Sequence, residues 1–265
     1  MLTSQQRDEF ERLGLVTIRG AISRRDADEM CDRVWSSLQR QYGIRRDAPE
    51  TWNALRTAGT HDLPKSETFE QIGSPAICAA LDDLLGRENW QPPERWGSLL
   101  VTFPQSRDRW DVPHQSWHLD FRASRSVTGL FAVRIFTCLA NLQPGGAGTL
   151  FVAGSHLLVR DLLQKDAREQ LRSADARKAL IRTCPWVKEL CSRDEKVDRI
   201  KRFMAGTSQF RKIELRVVEM TGEPGDVIFA HPLLLHAAAP NCAEVPRIVL
   251  SSIIRRAGIE PSDLI

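Results

Sequence analysis

The sequence lacks any run of about 18 apolar residues, the length that a membrane-spanning helix needs. Its greasiest stretches are broken by Arg134, His231 and Pro232. It also lacks a C-x-x-C pair, because the six cysteines stand apart at 31, 78, 138, 184, 191 and 242. That scatter fits neither a zinc ribbon nor a dense disulfide framework, and it reads as reduced, buried thiols. The first residues contain no signal-peptide core, since Arg7, Asp8, Glu9 and Glu11 interrupt them. A soluble protein of the cytoplasm, with no membrane partner, is the expectation. An excess of one charge is missing too: 37 Lys and Arg oppose 34 Asp and Glu, a net +3 with both signs interspersed. Without a concentrated basic patch, nucleic acid is not an expected partner. Internal repeats and low-complexity tracts are absent.

What is present is an ordinary globular composition, 42% hydrophobic and 27% charged, enough for 265 residues to bury a substantial core. One domain spanning 1–265 is expected, because all-β domains of this size often stay single. Thr3 or Ser4 can cap a first helix running to Leu13, which Gly14 is placed to end. Leu15–Ile18 reads as a strand, and Ser23 caps a second helix with Ala27, Met30, Val34 and Leu38 on one face. Residues 43–75 read as loop, and a short helix near 76–85 stops at Gly86. From Gly97 the period changes. Short β-like runs occur at 98–103, 129–139, 150–153, 213–220, 227–231, 233–239 and 247–254.

The fold class that follows is mainly β with flanking helices: a double-stranded β-helix (jelly-roll) core, N-terminal helices and a helical insertion. The insertion is 157–210, charged but with Leu162, Leu163, Leu171, Leu180, Trp186, Val187 and Leu190 as apolar positions. Both its ends lie at the rim of the barrel. It is therefore expected to be either a lid over a site or a buttress on the barrel's outside.

The chemistry begins at His118-Leu119-Asp120. Residues i and i+2 of a strand share a face, so both side chains can grip one ion. With a third histidine from elsewhere they would form the 2-His-1-carboxylate triad of non-haem Fe(II) oxygenases, which leaves one face of the metal open. Alone the pair means little, since composition predicts roughly 0.8 such pairs by chance. The second half of the chain adds Gly225-Asp226, a turn signal, then Val227–Ala230, His231 and, at the end of the next apolar run, His236. Pro240-Asn241-Cys242 reads as a turn before Arg247. A hairpin centred there would set His236 opposite Arg247, with Cβ atoms about 5 Å apart. An arginine so placed could pair bidentately with the distal carboxylate of a ligand chelating the iron.

In these stretches the chain resembles the phytanoyl-CoA dioxygenase family of Fe(II)/2-oxoglutarate-dependent oxygenases. The matching text is Gln115–Asp120, Gly145-Gly146-Ala147-Gly148-Thr149-Leu150-Phe151-Val152-Ala153-Gly154-Ser155-His156, and Gly225-Asp226 through His236–Asn241 to Arg247. The opening Phe10–Val16 is similar to the family's first helix and strand. The chain departs from the pattern at Ala153, where the family usually has proline. The resemblance implies His118, Asp120 and His236 as the catalytic iron ligands and Arg247 as the clamp on 2-oxoglutarate. It implies Gln115 as a residue facing the co-substrate or substrate, and O2 as the other co-substrate. An intact Asp120 disfavours halogenation, because the halogenating relatives carry a small residue there.

The remaining candidates are weaker. His231 reads as a core or supporting residue, and His156 as a loop residue. His114 is expected near the pocket mouth, where it could touch substrate. Arg134 lies in an apolar strand and, being buried, needs either a carboxylate partner or an anionic group in the pocket. Trp117 and Phe121 flank the metal pair and would pack or line the pocket. The expected activity is oxidation, chiefly hydroxylation, of a small molecule with release of succinate and CO2. The competing readings are a nucleic-acid or protein demethylase with the same iron chemistry, and a non-catalytic jelly-roll binding module.

Overall fold

The computed structural model describes residues 1–52, 63, 66–105, 109–121, 123–124, 129–165 and 170–259. Parts of the expected 43–75 loop and of the insertion, at 53–62, 64–65 and 166–169, lie outside the described residues. Helix α1 (Ser4–Leu13) starts where the Thr3 hydroxyl accepts the Gln6 amide and the Gln6 side chain returns the bond, a reciprocal cap. It stops at Gly14, whose φ of 80° suits a residue without a Cβ. Strand β1 (Leu15–Ile18) follows, then α2 (Arg24–Tyr42), capped by Ser23, and α3 (Pro75–Leu85), capped by Ser74. Two short 3-10 turns, Pro49–Thr51 and Glu67–Gly73, lie between those helices.

Next come β2 (Ser98–Thr102), β3 (Ala123–Ser124), β4 (Ala132–Cys138) and β5 (Leu150–Ala153). The insertion supplies α4 (Ser155–Lys165), β6 (Gln170–Leu171), α5 (Ser173–Thr183), α6 (Pro185–Leu190), α7 (Arg199–Phe203) and β7 (Ser208–Phe210). The chain closes with β8 (Ile213–Glu219), β9 (Val227–Ala230), β10 (His236–Ala237) and β11 (Arg247–Arg255). Pairing is antiparallel throughout, in a five-stranded sheet β1-β9-β4-β11-β2, a four-stranded sheet β10-β5-β8-β7 and the small pair β3-β6. No helix among the described residues is long and apolar enough to cross a membrane.

Alternation along the strands sorts the apolar residues into three layers. Phe136 and Cys138 of β4, Phe151 of β5, Ile228 of β9 and Val249 of β11 meet between the two main sheets. There the rings of Phe136 and Phe151 cross at 5.7 Å. Their neighbours Val133, Ile135, Phe229, Ile248 and Leu250 face the other way, against Met30, Val34, Leu38, Ile77 and Leu81 of α2 and α3. Leu150, Val152, Leu215 and Val217, on the outer face of the four-stranded sheet, are covered by α4 to α7 through Leu158, Leu163, Leu180, Val187, Leu190 and Phe203. Both sheets are thus buried on two faces. That is why their strands read as nearly continuous apolar runs.

Two expectations need correction. The run 233–239 is a strand only at His236–Ala237, because residues 231–235 make a turn in which the Leu234 amide donates to the His231 carbonyl. His236 and Arg247 are not hairpin partners either. His236 pairs with Phe151 in one sheet and Arg247 with Thr102 in the other. Asn241 makes the corner between them. Its amide nitrogen donates to the carbonyls of Thr102 and Val245, and its side-chain oxygen accepts the Ala243 amide.

Phe203, fully buried, tests how far the insertion contributes to stability. Trp186 packs edge-on against it at 5.3 Å and the guanidinium of Arg199 lies 4.9 Å from its ring. Phe203→Ala should cost about 3–5 kcal/mol, read as a lowered denaturant midpoint. A loss under about 0.5 kcal/mol would mean that α7 is not part of the core.

Candidate metal centre

His118 sits on no regular strand. A single antiparallel bridge joins it to His236: each amide donates to the other's carbonyl, at 2.9 and 3.0 Å. The bridge extends the four-stranded sheet by one residue pair beyond β10 and brings the two imidazoles to 4.3 Å between ring centres. Each ring is oriented by a carbonyl two residues earlier. Nδ1 of His118 lies 2.7 Å from the Ser116 oxygen, and Nδ1 of His236 lies 3.0 Å from the Leu234 oxygen. A carbonyl can only accept, so each Nδ1 carries a proton and each Nε2 is the nitrogen left to face Asp120 and a metal. Ser116 holds a left-handed backbone, φ 67°, in the turn that leads into this segment.

Asp120 completes the group. Its Oδ2 lies 3.1 Å from Nε2 of His236 and its Oδ1 lies 3.7 Å from Nε2 of His118. One donor atom from each of the three residues falls within 4.8 Å of the others, and no other such group of His, Cys, Asp or Glu occurs among the described residues. Partial burial pushes the Asp120 carboxyl upward. The hydrogen bond and charge of His236, and the charges of Arg134 and His118, outweigh it and hold the group below its ordinary value. Asp120 is therefore ionised at neutral pH. Two imidazole nitrogens and one carboxylate oxygen, converging on one another, are the donor set that suits iron(II) with open positions.

Deeper between the sheets lies Arg247, which is 8% exposed. Burial pulls its guanidinium down to about 10, against the opposing influence of the Cys138 thiol. Nη2 donates to the Thr149 hydroxyl at 3.2 Å, while Nε is buried with no acceptor. Among the described residues no carboxylate pairs with it, and a buried cation with an idle N–H is costly unless an anion comes to it. Thr149 was not singled out by the sequence reading, although it stands inside the Gly145–His156 text. Its place is set by Glu219, whose two oxygens accept the Gly145 amide at 2.9 and 3.0 Å and which also accepts the Gly148 amide. At Gly148 a Cβ would collide with the Met220 carbonyl, so the close approach of this loop to β8 requires glycine.

The other sequence candidates fall in different places. Arg134 pairs with Asp120, Nη2 to Oδ2 at 2.9 Å, which answers its need for a carboxylate. Trp117 is 1% exposed in the outer layer and donates its indole N–H to the Pro113 carbonyl. Phe121 is buried edge-on against Phe131 at 6.0 Å. Gln115 is exposed. His114 is half-buried and lines a cavity of about 500 Å3 with Arg109, Asp111, Asp198 and Arg199, whose walls include none of the three donors. His156 and His231 face each other at 4.7 Å, away from the triad's donor group. Burial pushes His156 down to about 4 and His231 well below its ordinary value, so both are neutral.

The family model for phytanoyl-CoA dioxygenase (PhyH) matches residues 10–249. The chain belongs to that family. It is thereby a non-haem iron, 2-oxoglutarate-dependent oxygenase, and its donor set and buried arginine suit that cofactor and co-substrate. Solved structures share the fold. The carbocyclase SnoK from nogalamycin biosynthesis is 15% identical with a TM-score of 0.59, covering 97% of this chain and 85% of that one. The epimerase SnoN, solved with Fe3+, alpha ketoglutarate and nogalamycin RO, is 16% identical with a TM-score of 0.56, covering 96% and 83%. HygX from Streptomyces hygroscopicus, solved with nickel and 2-oxoglutarate, is 15% identical with a TM-score of 0.54, covering 98% and 89%. No curated relative matches the chain.

Glu219 gives this family member a measurable pH signature. Burial raises its carboxyl from 4.5 to about 7, against the pull of the Gly145 and Gly148 amides. Between those values the folded chain keeps a proton that the unfolded chain has lost. This group's contribution therefore falls as pH rises through the window, and its penalty is complete above about pH 7. Glu219→Gln removes the titration. The Tm of the variant minus that of the wild type should increase from about pH 4.5 to pH 8, each kcal/mol appearing as about 2–4 °C. A difference independent of pH would show that folding leaves this carboxyl's titration unchanged.

Proposed function

We propose that this oxygenase hydroxylates a small molecule, with His118, Asp120 and His236 as the iron ligands and Arg247, with Thr149, as the seat of the 2-oxoglutarate distal carboxylate. The observation that carries the reading is the pairing of a three-donor group with a buried arginine. Three donors converge, and a buried arginine, bonded to Thr149 two residues before Phe151, the β5 partner of His236, keeps an N–H without an acceptor. The structural neighbours in nogalamycin biosynthesis favour a small molecule over a polymer. So does the charge balance.

With iron and 2-oxoglutarate bound, the site would supply activation of O2 coupled to decarboxylation of the keto acid, giving succinate and CO2. The chain's own residues do the rest. The Ser116 and Leu234 carbonyls fix which nitrogen of each histidine faces the ion. Asp120 brings the negative charge. Arg247 and the Thr149 hydroxyl fix the distal end of the co-substrate, so that its keto-acid end is presented to the ion in one orientation. The apolar layer of Phe136, Phe151, Ile228 and Val249 keeps bulk water from the space between the sheets. Gln115 remains a candidate for touching co-substrate or substrate, because it is exposed three residues before His118. Residues 157–210 act as a buttress of the one catalytic domain, in view of their packing on the outer face of the four-stranded sheet.

Replacing His118, Asp120 or His236 by alanine should abolish Fe(II) binding, read by equilibrium titration of the apoprotein, together with succinate formation. His231→Ala should keep the metal. The opposite pattern, metal kept without His236 and lost without His231, would exchange their roles. Arg247→Lys leaves one ammonium in place of a fork. It should lose about 2–5 kcal/mol of 2-oxoglutarate binding, or about 30- to several-thousand-fold in affinity. An unchanged affinity would remove Arg247 from the clamp.

A further inference from the structure

Asp120 is poorly held by its own backbone. The bridge to β10 ends at His118, and the next ladder begins at Ala123–Ser124, which pair with Leu171–Gln170 of β6. Among the described residues Asp120 makes no backbone–backbone hydrogen bond. Its carboxylate is nevertheless tied to the central strand of the five-stranded sheet. Arg134 lies on β4, which is paired on both sides, opposite Ala230 of β9 and Ile253 of β11. Its Nη2 donates to Asp120 Oδ2 at 2.9 Å, its Nη1 reaches the Ser251 hydroxyl at 3.4 Å, and its guanidinium lies 5.8 Å from the Phe136 ring centre. Its Nε is buried without an acceptor, and Asp120 is the one carboxylate it pairs with among the described residues.

From this placement we infer that Arg134 is a positioning residue for the metal ligand: its bond to Oδ2, the oxygen that also lies 3.1 Å from Nε2 of His236, fixes how the carboxylate is turned and leaves Oδ1 as the oxygen with no guanidinium on it. The inference rests on the proposed role of His118, Asp120 and His236 as ligands. Its consequence follows from counting positions around an octahedral ion. Two imidazoles, one carboxylate oxygen and a keto acid holding two positions would leave one position for O2. A carboxylate bound through both oxygens would fill that position. A cation fixed on Oδ2 disfavours the second mode, and it transfers the rigidity of β4 to a ligand whose backbone has little of its own. Arg134 carries a positive charge near the ion as well, which by itself weakens metal binding. Orientation has to outweigh that repulsion for the inference to hold, and the experiment reads the balance directly.

The test uses Co(II), whose visible absorption reports both occupancy and coordination, added to the apoprotein of the wild type, Arg134→Gln and Arg134→Met. Loss of a group that orients a metal ligand typically costs 10–100-fold in metal affinity. Both variants should therefore bind Co(II) about 10–100-fold more weakly, with a changed absorption band, while far-UV circular dichroism stays that of the folded chain. Should Arg134→Met fail to fold, Arg134→Gln, which keeps a donor of smaller reach, carries the measurement. Equal or tighter Co(II) binding in the folded variants, with the wild-type spectrum, would overturn the inference and leave the ligand assignment standing. A wild-type protein that binds no Co(II) would instead overturn the ligand assignment, and the inference with it.

Discussion

Two main-chain hydrogen bonds between His118 and His236 decide what the rest of the structure can do. They join a segment before β3 to the start of β10, about 120 residues later, and they do so at the one register that sets both imidazoles on the same side. A slip of one residue would send His118 to the opposite face and bring Leu119 in its place. The bridge is short, so it depends on supports: β5 fixes β10 through the Phe151–His236 pair, and the Ser173 hydroxyl accepts the Leu119 amide. Each ring is then clasped at Nδ1 by a carbonyl of its own segment. Donor identity, tautomer and facing are all consequences of local backbone geometry.

The space between the sheets pays a price for its chemistry. Alternation on β4 and β11 that directs Phe136, Cys138 and Val249 inward also directs Arg134 and Arg247 inward. Their states differ. Arg134 has a carboxylate partner and a half-buried setting, whereas Arg247 has a hydroxyl, an idle Nε and almost complete burial. A buried ion pair offsets much of its desolvation; an unpaired buried cation does not. Arg247 is thus a local cost to the fold that an anionic ligand would relieve, and this separates a residue kept for binding from one kept for orientation.

Much of this was legible in the sequence because the signals were local. The Thr3 cap, the Gly14 stop, the Leu15–Ile18 strand and the Leu150–Ala153 strand depend on neighbours within a few residues, and they appear where the pattern sets them. The i, i+2 spacing of His118 and Asp120 was readable for the same reason. The His236–Arg247 hairpin was misread because an apolar run does not reveal which of two sheets it enters. The decision is made at Asn241, whose side chain reaches Thr102, far away in sequence. Thr149 and Glu219 were missed because their roles exist only across β5 and β8, where Glu219 holds the Gly145–Gly148 loop. No periodicity encodes that contact.

The insertion follows the same logic at larger scale. A sheet whose two faces are both apolar needs a cover on each, and α2 and α3 serve only the five-stranded sheet. Leu150, Val152, Leu215 and Val217 would otherwise face water, so the charged stretch 157–210 carries its leucines to them. Its sequence left a lid and a buttress both open because its exposed positions are rich in Arg and Lys, while the surface it must cover lies on other elements. Having packed there, it also touches the metal segment twice, through Ser173 at Leu119 and through β6 at β3. Those contacts bracket Asp120 in the chain, one residue before it and three after. The packing that stabilises the outer face therefore also restrains the backbone on both sides of the carboxylate, and Arg134 restrains the side chain between them.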